Sequence, residues 1–139
     1  MSDEQTQQLL HQMQMLEGYF SELSQREASI VSIIREAASA VQSLKIIDNK
    51  ADAETLVPLG LGTFIKTKII PNEKLILNIG AGIAIEKDKD STINFLELRL
   101  KEMQVALQET SNQKQQVAAN LEQGKQQMEQ LMVASRSRQ

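Results

Sequence analysis

The chemistry open to this chain is that of contact, not of bond-making. Its single histidine, His11, sits in a glutamine-rich stretch with no acid or nucleophile at motif spacing, so it reads as a surface side chain. The turns Leu59-Gly60-Leu61-Gly62 and Ile79-Gly80-Ala81-Gly82 lack the Gly-Lys-Ser/Thr ending of a phosphate loop and open no helix. Cysteine is absent, which excludes disulfides, thiolate metal sites and cysteine nucleophiles, and no other metal-ligand cluster appears. The expectation is therefore no enzyme, no cofactor and no metal. What the chain offers instead is methionine: Met13, Met15, Met128 and Met132, four of its six, lie toward the two ends of the sequence. Methionine is unbranched and polarizable, so a Met-rich surface repacks around apolar partners of varied shape, where a rigid aromatic pocket would select a few.

The elements that must carry these residues divide the chain into arm, insert and arm. Of 17 glutamines, seven precede Ile47, ten follow Asp90 and none lies between, whereas both prolines and four of six glycines fall in the middle. The boundaries read as 1–47, 48–90 and 91–139. In the first arm, seven-residue spacing collects Met13, Phe20, Glu27, Ile34 and Val41 at a, with Leu9, Leu16, Leu23, Ile30, Ala37 and Leu44 at d. The last arm gives Ile93, Leu100, Leu107, Lys114, Leu121 and Met128 at a, with Leu96, Met103, Thr110, Val117, Gly124 and Leu131 at d. Stripes this regular, unbroken by proline, predict coiled coil over ordinary surface helix. Each arm of about 44 residues would extend roughly 65 Å.

Matched arms joined by an insert that returns the chain predict an antiparallel hairpin, with facing residue numbers summing to about 137 or 144. Either register brings Glu27 and Lys114 within about one turn and predicts a polar layer, whose ordinary role is to fix register. The free end is then built from residues near 9–16 and 128–133. Met13 and Met128 hold core positions there; Leu10, Met15, Met132 and Val133 lie off the stripe and are the candidates for exposed contact. Splaying of the last turns would add Leu9, Leu16 and Leu131. Gly18 and Gly124 each weaken a helix by about 1 kcal/mol relative to alanine, either to loosen this end or to allow close helix approach. The glutamine-rich outer faces read as solvated helix surface.

The insert reads as β. Leu75, Leu77 and Ile79, then Ile83 and Ile85, share faces; Ile65 and Ile69 oppose Lys66 and Lys68, after a short run at Thr55–Val57. Turns are expected at Pro58–Gly62, Pro71–Glu73 and Gly80–Gly82, giving two hairpins or a four-strand meander. So small a module leaves its apolar faces and edges open, so Leu56, Val57, Ile65, Ile69, Leu75, Leu77, Ile79, Ile83 and Ile85 should be buried across subunits, or else onto the chain's own helices. Asp48–Asp52 and Lys87–Asp90 read as solvated joints, with Ser91 or Asp90 as N-cap of the last helix.

Three segments carry a specific likeness. Glu54-Thr-Leu-Val-Pro-Leu-Gly60, then Phe64-Ile65-Lys66, then Leu75-Ile-Leu-Asn-Ile-Gly-Ala-Gly-Ile-Ala-Ile-Glu-Lys87 together resemble the linker of alpha-type subunits of the prefoldin family, in a form nearer archaeal than eukaryotic members. The arms agree only in pattern. The resemblance implies a mainly α fold: a long antiparallel two-helix coiled coil joined by two β-hairpins that form part of an intersubunit β-barrel. It further implies a hexamer of two alpha-type and four beta-type subunits. That assembly would capture unfolded polypeptides between coil tips without ATP and pass them to a group II chaperonin. The rival reading is a structural adaptor whose arms dock defined, folded partners. A net charge of −3 gives no pull toward nucleic acid or anionic membranes. The polar, acidic N-terminus and the lack of a long apolar run predict no secretory signal and no membrane span. The expected location is the cytoplasm.

Overall fold

The computed structural model describes residues 2–47 and 52–137. Helix α1 (Ser2–Ile46) is followed by strands β1 (Ala53–Gly60), β2 (Thr63–Ile69), β3 (Leu75–Gly80) and β4 (Ile83–Lys87), and then helix α2 (Lys89–Ser137). Asp48 to Ala51, which belong to the first expected joint, lie outside the described residues. Two compact units result: one pairs α1 up to Ile33 with α2 from Met103 onward, and the other runs from Ile34 to Glu102 and holds every strand.

In the first unit the two helices run antiparallel, since Met13 meets Gly124 while Phe20 and Glu27 meet Lys114. Each a and d residue there is buried or half-buried, and the burial deepens at Leu23, only 2% exposed, Ile30 and Val117. Thr6, one heptad before Met13, continues the stripe. Gly124 is a hole for a knob: a Cβ added there would come within 3.1 Å of Met13 Cγ. Gly18 has no such partner, because a Cβ there meets nothing within 4 Å. Close approach thus explains one glycine and not the other.

The polar layer has a defined geometry. Lys114 Nζ lies 3.2 Å from Glu27 Oε1 and 5.2 Å from the centre of the Phe20 ring, with both charged side chains 28% exposed. Ion pairing and cation–π attraction offset part of the desolvation of the ammonium. Nearby Thr110 is buried but satisfied, its hydroxyl donating to the Ala106 carbonyl at 2.8 Å.

In the second unit Ala37 and Val41 are buried, and Lys45 pairs with Glu97 at 3.2 Å in solvent. The open choice between hairpins and meander resolves to two separate two-stranded antiparallel sheets, β1–β2 and β3–β4. They repeat one another twenty residues apart: Val57 opposes Ile65 as Leu77 opposes Ile85, and the register slips between Pro58 and Gly60 as between Asn78 and Gly80. Both loops are of two residues with positive φ, Leu61 (49°) and Gly62 (75°), then Ala81 (54°) and Gly82 (75°). That is the requirement of a type I′ turn, which matches strand twist. Between the hairpins, the Glu73 N–H donates to the Ile70 carbonyl at 3.2 Å, closing a turn with Pro71 second and Asn72 at φ 62°.

Two expectations need correction. Pro58 was expected in a turn, but it lies within β1, opposite Phe64; a two-stranded sheet has an edge at every strand, and a missing N–H is tolerated there. The N-cap of α2 is Asp88, not Asp90 or Ser91: the helix starts at Lys89, and the Asp88 carboxylate accepts the Ser91 N–H at 2.7 Å. This bond, before the fields of Lys74 and Lys87, holds the Asp88 carboxyl below its usual value.

Because the folded value lies below the unfolded one, the contribution of the Asp88 cap is complete above the usual carboxylate range and is lost as pH falls through the lowered value. Asp88→Ala should lower the thermal midpoint at neutral pH with a smaller effect in acid, while Asp88→Asn, an uncharged cap, should remove this pH dependence; melts of the three proteins across acid and neutral pH check it. In the polar layer, Lys114→Met alone leaves Glu27 half-buried without its partner and should cost on the order of 1–2 kcal/mol. Glu27→Leu with Lys114→Met should be neutral or stabilising, as urea denaturation will read.

Candidate functional site

Two sets of apolar side chains remain uncovered. The first lies on the hairpins. Strand alternation and the observed register put Val57, Ile65 and Ile69 on one face of β1–β2, and Leu75, Leu77, Ile83 and Ile85 on one face of β3–β4, with Ile79 at the bulge. Ile69, Leu75, Leu77 and Ile85 are half-buried, whereas Val57, Ile65, Ile79 and Ile83 are 41–54% exposed. Leu56 is separated from these: it pairs with Lys66 on the opposite face, beside Pro58 and Phe64. Several further exposed residues escape a reading by alternation. Phe64, Leu59, Ile70 and Ile76 are all exposed, and Leu61, at the tip of its turn, is fully so. Ile76 carried a signal, since it stands between two apolar residues and spoils the alternation of β3; both faces of the second hairpin are apolar in part.

The second set belongs to the coil unit, near the start of α1 and the end of α2. Leu10, Met15, Met132 and Val133 are exposed, Met15 to 65%. Leu9, Met13, Leu16, Met128 and Leu131 are half-buried on the stripe. Leu9 and Leu131 form the floor of a groove of about 390 Å³ whose other lining residues are Gln5, Gln8, Gln12, Gln127 and Gln130. An adjoining hollow of about 270 Å³ draws on Leu9, Met13, Leu16 and Gly124. Val133 borders a third, of about 490 Å³, with Gln126, Glu129, Gln130 and Ala134. The glutamines are the residues that sequence reasoning set aside: solvated helix surface and groove wall have the same composition, and only helix packing separates them.

Among the described residues there is no group of three or more His, Cys, Asp or Glu placed to hold a metal, and no helix long and apolar enough to cross a membrane. No described buried polar side-chain atom is left without a hydrogen bond.

The family model for "Prefoldin subunit" matches residues 9–134. Prefoldin subunit alpha of Nitrosopumilus maritimus is 54% identical over 134 residues, covering 96% of this chain and 92% of that one. Prefoldin subunit alpha 1 of Thermococcus kodakarensis is 33% identical over 97 residues, 69% of this chain and 66% of the relative. Among solved structures, the prefoldin beta subunit from Thermococcus strain KS-1 shares the fold with a TM-score of 0.66 over 91% of this chain and 90% of its own, at 13% identity. The chain belongs to the prefoldin family, and within it to the alpha subunits.

Proposed function

We propose that this chain is a subunit of an ATP-independent holdase, in which the hairpins assemble and the terminal part of the coil unit holds unfolded polypeptides. The observation that carries the proposal is the exposed, methionine-bearing apolar surface of Leu10, Met15, Met132 and Val133 beside the half-buried Leu9, Met13, Leu16, Met128 and Leu131. Side chains of this kind accommodate many apolar clients with low selectivity. Frayed last turns let stripe residues join them at little cost in free energy.

Assembly is supported by the hairpins. Two-stranded sheets are marginal alone and expose unpaired edges, so the faces carrying Val57, Ile65, Ile79 and Ile83 call for partner strands. The partners proposed are beta-type prefoldin subunits, in a complex of two alpha and four beta chains whose strands close a barrel. Delivery of the held client to a group II chaperonin, in the cytoplasm, completes the reading.

Co-expressed with a beta-type subunit, the complex should suppress light scattering by a chemically unfolded protein without nucleotide. Deleting residues 1–12 and 128–139 should abolish that suppression; full retention would defeat the tip assignment. Ile79→Asp with Ile83→Asp should prevent the hexamer while leaving helix content intact, and a hexamer of normal mass by size-exclusion light scattering would defeat the assembly assignment.

A further inference from the structure

The groove at the terminal end of the coil unit is built of two leucines and five glutamines, without a single charge. Gln5, Gln8 and Gln12 project from α1 and Gln127 and Gln130 from α2; all five are exposed, and none of their side-chain amides makes a hydrogen bond to the described residues. Each primary amide presents two N–H donors and a carbonyl acceptor, the same pairing that a peptide bond offers. Charged residues nearby, among them Glu4, Glu122 and Lys125, do not line it.

The spacing fits an extended chain. Gln5, Gln8 and Gln12 follow one another at three and four residues, a row of roughly 10 Å along the helix at 1.5 Å per residue. An extended polypeptide covers that length in about three residues, at about 3.3 Å each. Leu9 and Leu131 at the floor offer apolar contact, and both walls carry amides.

We infer that this groove binds the main chain of an extended polypeptide segment, its glutamine amides pairing with peptide N–H and C=O groups over the Leu9–Leu131 floor. The inference rests on the holdase reading and specifies what that site recognises. A folded protein has already paired its main-chain groups, whereas an unfolded one presents them at every residue whatever its sequence. Recognition through neutral amides is also indifferent to the net charge of the client and to salt, unlike capture by ion pairs.

The test uses the full chain and two fluorescent probes: an unstructured neutral peptide of Ala, Ser and Leu, and the same peptide with alternate amides replaced by esters, which removes N–H donors and weakens carbonyl acceptors while keeping every side chain. By fluorescence anisotropy the amide peptide should bind about tenfold more tightly than the ester, the effect of one or two net hydrogen bonds. This preference should be unchanged by added salt. Gln8→Leu/Gln127→Leu/Gln130→Leu keeps helix propensity and enlarges the apolar floor, so it should bind the ester peptide at least as well as the unmodified chain does and lose the amide preference. Equal binding of the two probes by the unmodified chain, or an amide preference that survives in the triple variant, would overturn the inference. If the complex with beta-type subunits still suppressed aggregation in that case, the holdase reading would stand and only main-chain recognition would fall. Failure of suppression itself would remove both.

Discussion

A helix with a single narrow apolar stripe can hide it only against another such stripe, and this constraint governs the rest of the chain. Because α1 and α2 carry stripes of matched period, the link between them has to reverse the chain, and their antiparallel pairing follows. A two-helix coil has so thin a core that few side chains become buried; among the described apolar ones Leu23, Ile30, Ala37, Val41 and Val117 do, and even these keep some exposure. The polar layer at Glu27 and Lys114 sits in that core and costs some stability, but a helix slipped by one heptad would strand both charges among apolar side chains.

The same thinness accounts for what is left exposed. Among the described residues no third layer covers the hairpins, and toward the chain ends the stripe gives way to half-buried leucine and methionine flanked by glutamine. The two surfaces differ chemically in a way suited to different partners. The hairpin faces are β-branched and aliphatic, held by paired strands and tight turns, which favours one fixed complementary surface. The terminal surface combines flexible methionine with neutral amides, which favours many loosely specified ones.

Most of the coil was legible in the sequence because a seven-residue period sustained over five heptads leaves little choice of face, and the observed burial follows both registers. The two hairpin loops were legible through Gly60-Leu61-Gly62 and Gly80-Ala81-Gly82, since positive φ at successive residues favours glycine. Other features were hidden for identifiable reasons. Asp88, Asp90, Ser91 and Thr92 are all good capping residues, so composition could not say which one stands at the boundary. Pro58 resembles a turn residue until the strand is known to be an edge. Alternation within β1 alone puts Leu56 on the face opposite Val57, whereas the groove glutamines depend on which helical faces converge, which is not a property of one segment alone.

Hydrogen–deuterium exchange on the complex formed with a beta-type subunit, measured with and without a chemically unfolded client, tests the division between the two surfaces most directly. Amides of β1 to β4 should be strongly protected in the complex, relative to the isolated chain, before any client is added. Client should then slow exchange only in the first turns of α1, around residues 5–16, and the last turns of α2, around residues 123–133. Strands that exchange alike alone and in the complex, or client protection that falls on the hairpins instead, would contradict the account.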